Sequence, residues 1–358
     1  MATLLTPRAL RRGLELSVLA SLVGFGAILL YRGNYREFIA SLSQIRPGWA
    51  LLGLGVASLE WVGGGLRHWV ITRPVWPQAT LRGMIVAGGM GAWAGYLTPV
   101  HGGAGPMMVY AMRRNGVPIP VGLTTILMAF VATIIFFAVA GPMAVVLGAG
   151  RSLGEKGDVL GLSLLDLYVG SLGIFGGLGV VLLVLVFFPG FARRVVHALA
   201  ELAGRASRRV SDRLESLRAG IDQAHAAVET YSRPAGWLSI LGAVVLSGPT
   251  YGPRLLAGYV ALRAIGIEAN FIDVLLLQTL ITFLLYFAPT PGASGLGEIL
   301  SAAVMSVYVP AALVPLYTLL WRLFVTYVTI GAGSVVFYHW LRSGLRGLEQ
   351  EVPLEEAL

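Results

Sequence analysis

The chain has no cysteine, a single lysine (Lys156) among 26 basic residues, and charge on only 12% of its 358 positions. Without cysteine there can be no disulfide, no thiolate metal site and no cysteine nucleophile. So little charge, set against 56% hydrophobic residues and a mean hydropathy of +0.77, leaves nearly every long window too apolar for a soluble domain and suited to a bilayer core. No Asp-x-Asp pair is present to hold a nucleotide-sugar metal, and there is no His-x-x-x-His; the five histidines, at 68, 101, 197, 225 and 339, are scattered. The polar stretches are too short for a separate folded enzyme, so one membrane domain over residues 1–358 is expected, with no cofactor, no metal and no nucleic-acid partner. The arginine excess either follows nucleotide composition or supplies bidentate phosphate partners, and the net charge of +8 suits anionic lipid surfaces.

Within this apolar background one segment occurs twice. Thr98-Pro99, Gly103, Gly105, Val117 and Pro118 recur, 192 positions later, as Thr290-Pro291, Gly295, Gly297, Val309 and Pro310. A helix-breaking tract at membrane depth, present once in each half, is the mark of a transporter built from inverted repeats whose broken helices meet at the midplane. Repeat one is read over about 10–148 and repeat two over about 162–341, with an amphipathic insertion over about 189–234 and a tail over 342–358.

Charge placement gives the direction of each span. Arg8, Arg11 and Arg12 precede the apolar run Leu14 to Tyr31, an uncleaved first helix; Trp49 to Val70 then leads into Arg67, His68, Arg73 and Arg82. Positive charge collects on the cytoplasmic side, which puts this loop, both termini and the arginine-rich segment Arg193 to Arg233 inside. Arg32, Arg36 and Arg46 dissent, falling in a loop assigned outside. Leu81 to Leu97 and Phe271 to Pro289 each run to a Gly-rich tip and return, as re-entrant hairpins do, an arrangement tolerated only where protein or water satisfies the irregular backbone. The expectation is an all-α polytopic protein of the plasma membrane, with six full crossings and two re-entrant hairpins in oppositely directed halves.

Each tip is followed by a short helix whose unpaired N–H groups and positive dipole end attract an anion. The candidate binding groups at the tips are Thr98, His101, Gly103 and Gly105 in the first, and Thr290, Ser294, Gly295, Gly297 and Glu298 in the second. The glycines could equally serve close packing, and His101 could be a proton shuttle, a headgroup contact or a hydrogen-bonded turn residue. Charged residues inside spans mark a pathway by default, which adds Glu60, Arg254 and Arg322. Glu298 could pair with Arg322 or Arg254, or cap its own helix. Two arginines near one tip exceed what one carboxylate needs, and a phosphate would use the surplus. Glu60 and Arg67, seven apart, can share a helix face, with Arg67 expected to snorkel to the cytoplasmic interface. In the sixth apolar segment, the tract Ser247-Gly248-Pro249-Thr250-Tyr251-Gly252-Pro253 reads as a break.

The tips Thr98 to Gly105 with Arg113 to Pro118, and Pro289 to Glu298 with Arg322-Leu323, resemble the lysylphosphatidylglycerol synthase transmembrane family, the flippase-like domain proteins. The resemblance covers nearly the whole chain and implies movement of a phospholipid or lipid-linked phosphate between leaflets; a lipid-synthesis enzyme partner and a homodimer are further expectations. Members often carry a carboxylate after the first tip, where this chain has Pro106, and lysyl transfer is not expected of a chain ending at Leu358. The other readings are a membrane enzyme, such as a glycosyltransferase acting on a lipid-linked substrate, and a scaffold docking a partner through the arginine-rich segment.

Overall fold

A computed structural model describes residues 7–32, 35–144, 158–159, 162–163, scattered positions from 166 to 194, 231, 234–286 and 288–351. The regular structure is helical, apart from a two-residue antiparallel pair, Asp158–Val159 with Leu162–Ser163. Numbered among the described residues, the helices are α1 (Pro7–Arg32), α2 (Tyr35–Ser41), α3 (Pro47–Thr72), α4 (Leu81–Tyr96), α5 (Ala104–Arg114) and α6 (Ile119–Ala144). They continue with α7 (Pro234–Ala264), α8 (Phe271–Tyr286), α9 (Leu296–Met305), α10 (Val314–Arg322) and α11 (Val328–Glu351). The amphipathic insertion beyond 194, the loop 151–157 and the last seven residues of the tail lie outside the described residues.

Among the described residues, four helical stretches are long and apolar enough to cross a membrane: Arg12–Leu30, Pro47–Thr72, Ile119–Ala140 and Ala311–Arg342. That set does not include α7, whose 31 residues give it the length, about 46 Å at 1.5 Å per residue. The expected span over 162–188 is described only at isolated positions. Helix α7 also corrects a sequence expectation, because it runs unbroken through Pro249 and Pro253. Tertiary packing overrides the local signal: α3 lies against the proline tract, and a Cβ at Gly63 would sit 2.8 Å from the Pro249 carbonyl, so only glycine allows the approach.

The two hairpins form as α4, a 3-10 turn at Pro99–His101 and α5, and as α8, a 3-10 turn at Pro291–Ala293 and α9. Proline disfavours continuation of a helix and biases its predecessor to extended backbone, the conformation of Thr98 (ψ 145) and Thr290 (ψ 148). The 192-position offset carries one turn onto the other and the start of α5 onto the start of α9. It also matches the backbone, with left-handed conformations at Val100 (φ 52) and His101 (φ 53), and at Gly292 (φ 57) and Ala293 (φ 54). None of the hairpin arms exceeds 16 residues, about 24 Å, which is short of the roughly 30 Å hydrocarbon core. The tips touch, and a Cβ at Gly292 would lie 2.8 Å from the Tyr96 carbonyl oxygen.

Two apolar cores hold the hairpins. Met84, Met90, Trp93, Met107 and Met112 pack within the first, while Leu277, Leu280, Val304, Tyr317 and Trp321 pack the second against α7 and α10. Trp321 donates to the Gln278 side-chain oxygen at 2.7 Å, which satisfies the indole in the middle of that core.

Candidate functional site

Helix α9 opens at Gly295, whose φ of 81 is a conformation that favours glycine. Glu298, three residues on, reaches back so that its Oε2 accepts the Gly295 N–H at 2.7 Å, half of a capping box. The other half is missing, since glycine offers no side chain. The same carboxylate takes two parallel bonds from Arg322, Nε to Oε1 at 2.7 Å and Nη2 to Oε2 at 3.1 Å. Ser21 of α1 donates to Oε1 at 2.6 Å. Arg322 also donates through Nη1 to the Gly292 carbonyl at 3.0 Å and to Thr326 at 3.1 Å. Both of the roles open to Glu298 in the sequence are therefore filled together, by a buried pair whose side chains are only 2–3% exposed.

A second charged group lies beside the first tip. Glu60 of α3 accepts Arg254 Nη2 at 2.7 Å and Tyr96 Oη at 3.0 Å on Oε1, and Thr329 Oγ1 at 2.7 Å on Oε2. Arg254 Nε donates to Tyr96 Oη at 3.1 Å, and its guanidinium lies 5.4 Å from the centre of the Tyr96 ring. The His101 ring stands edge-on to Tyr96 at 5.6 Å. Sequence reasoning singled out Glu60 and Arg254 without pairing them. The surplus guanidinium it expected near the second tip is matched by a carboxylate of its own, so the two groups together balance two positive with two negative charges.

The two groups meet at a cavity of about 40 Å³ between the tips, flanked by Tyr96, His101 and Arg254 on one side and by Gly292, Ala293 and Arg322 on the other. At roughly 10–15 Å³ for the first water-sized occupant, such a space holds a few waters at most. Of the other expected site residues, Thr98 turns inward: its Oγ1 accepts the Gly103 N–H at 2.8 Å and donates to the Ala94 carbonyl at 2.8 Å. Ser294 exchanges a hydrogen bond with Ser17 of α1 at 2.7 Å. Thr290 Oγ1 is buried and makes no hydrogen bond among the described residues. Gly297 lets the Arg322 guanidinium approach, 3.1 Å from where its Cβ would be, whereas Gly105 faces open space.

Arg67 corrects another expectation. It does not snorkel to an interface but is 3% exposed, donating to the Ala129 carbonyl and to Thr133 on α6, beneath the ring of Tyr251. A buried guanidinium needs acceptors, and helix α6 lies close enough to supply them before the interface is reached. The residues that sequence reasoning missed are Ser17, Ser21, Tyr96, Thr326 and Thr329. Two of them left a trace: Ser17 and Ser21 stand one helical turn apart in an otherwise apolar span.

No curated protein sequence matches the chain significantly. A family model described as the lysylphosphatidylglycerol synthase TM region matches residues 14–333, which takes in both hairpins and all four residues of the two ion pairs. On that match, the chain is an integral membrane protein that belongs to the lysylphosphatidylglycerol synthase TM-region family.

Proposed function

We propose that the chain moves a lipid bearing a phosphate, an anionic phospholipid or a lipid-linked phosphate, between membrane leaflets. The observation that carries this reading is the meeting of the two tips at a cavity flanked by Arg254 and Arg322. In this reading the halves are inverted repeats with six crossings, the hairpins are re-entrant in the plasma membrane, and both termini are cytoplasmic. The matched left-handed turns, 192 positions apart, support the repeat.

Charge inside a bilayer is costly, and the family relation to a phospholipid-linked protein gives that charge a use. Glu298 occupies the guanidinium face of Arg322 and the N-terminal amide of α9, the two places where a phosphate would bind. It acts as a resident anion that keeps the arginine paired. A headgroup phosphate competes with Glu298 for the guanidinium; the carboxylate keeps its bonds from Ser21 and Gly295, and the phosphate's own bonds to Arg322 must offset the loss of a buried ion pair, about 3–5 kcal/mol. Because the cavity is too small for a headgroup, the tips must part for transport, while the acyl chains stay in the bilayer. Equilibration then needs no energy source, and net flux follows any gradient or metabolic pull.

Purified protein in liposomes, with fluorescent phosphatidylglycerol and a membrane-impermeant quencher, tests this. Protein should accelerate quenching of the inner-leaflet label, and Arg322→Gln or Arg254→Gln should remove most of the acceleration while the variants still melt cooperatively. Scrambling no faster than in empty liposomes, or as fast with Arg322→Gln as with the unaltered chain, overturns it.

A further inference from the structure

Beside the second tip, a separate pocket of about 240 Å³ lies between α1 and α10. Val18 and Leu22 of α1 and Leu319 of α10 line it with apolar side chains, and Ser21, Glu298 and Arg322 line it with polar ones. Val18 is 48% and Leu22 63% exposed, and both belong to the stretch Arg12–Leu30 that is apolar and long enough to span. The outer wall therefore borders hydrocarbon in a bilayer.

An apolar hollow of this kind gives water too few polar partners along its length. Its volume, about 240 Å³, is about six times that of the 40 Å³ cavity between the tips, room for several methylene units in a row. The lining joins apolar side chains that border the bilayer to a fixed pair of opposite charges, the two chemistries that a lipid's chain and headgroup require. The backbone adds an independent sign. A π-helical turn at Leu323–Tyr327 begins directly after Arg322 and brings Tyr327 into the pocket lining, and such turns are frequent at functional sites.

We infer that this lateral pocket holds an acyl chain of a membrane lipid whose charged headgroup lies at Glu298 and Arg322. The ligand of this site is then a chain-bearing lipid and not a free phosphate. The purpose of the pocket, admitting substrate from the side, rests on the translocation reading; its occupancy does not.

The test uses the full chain in liposomes containing phosphatidylglycerol with a photoactivatable diazirine near the end of one acyl chain, followed by mass spectrometric mapping of adducts. Adducts are expected on Leu319 and Tyr327 as well as on exposed positions such as Leu30. Excess inorganic phosphate should leave them unchanged. Val18→Trp, which fills the pocket from its outer wall, should remove most of the adduct at Leu319 and Tyr327 and spare that at Leu30. Adducts confined to exposed positions in the unaltered chain overturn the inference without any variant; so do pocket adducts undiminished by Val18→Trp in a protein that melts normally, or abolished by inorganic phosphate. Pocket adducts without lipid scrambling sink the translocation reading alone, and scrambling without pocket adducts sinks this one alone.

Discussion

At the first tip the amide of Gly103 is taken by a neutral hydroxyl, Thr98 Oγ1, and at the matched place in the second tip the amide of Gly295 is taken by a carboxylate, Glu298 Oε2. The substitution has consequences on both sides. Thr290, the counterpart of Thr98, is left with a buried hydroxyl that bonds to nothing among the described residues, and Gly295 adopts φ 81 where Gly103 has φ −80. The carboxylate in turn draws in Arg322, which ties the second turn to α10 through the Gly292 carbonyl. Pro106 stands where a matching carboxylate would be in the first tip, and that tip borrows its charge from α3 and α7 instead, as Glu60 and Arg254. One backbone design thus supports a self-contained charged cap in one half and a neutral turn beside an interhelical ion pair in the other.

The largest break in this comparison comes from Arg322→Ala. It strands Glu298 in a 2% exposed position and should cost about 3–5 kcal/mol. Arg254→Ala should cost less, because that side chain is 15% exposed and water can reach what remains. Thermal melting in detergent ranks the two, and Glu298→Gln combined with Arg322→Ala should recover part of the first loss. Thr98→Val comes next, since it orphans the Gly103 amide at a cost of about 1–3 kcal/mol, whereas Thr290→Val removes an unbonded hydroxyl and should be neutral or stabilising. Equal melting temperatures for that pair would erase the distinction between the tips. Smallest is the glycine pair: Gly297→Ala crowds Arg322 Nη2 and should cost about 1 kcal/mol. Gly105→Ala meets open space and should shift stability by no more than about 0.5 kcal/mol, on the same melting curves.

The hairpins were legible because proline and glycine act on their own backbone: Thr98-Pro99 and Thr290-Pro291 end their helices, and the glycines that follow reinforce the break. The register of 192 was legible for the same reason. The partnership of Glu60 with Arg254 was not, because it joins residues of different halves through the packing of α3 on α7, which no local signal encodes. Arg67 shows the same limit, since its burial depends on where α6 lies. The uninterrupted course of α7 through two prolines is the reverse case, a strong local signal outweighed by its neighbour. A finer reading of the repeat could have gone further in one place. Aligning Val100 with Gly292 marks a position whose backbone favours glycine, and so a valine held against its preference.

That valine leaves the molecule cocked on one side. A β-branched side chain at φ 52 costs of the order of 1–3 kcal/mol, a load that glycine at φ 57 does not carry across the joint. Val100 is also 57% exposed, so little packing clamps its side chain in place. Strain at this position is thus stored in the first bend alone, while the second is pinned by Arg322 through the Gly292 carbonyl.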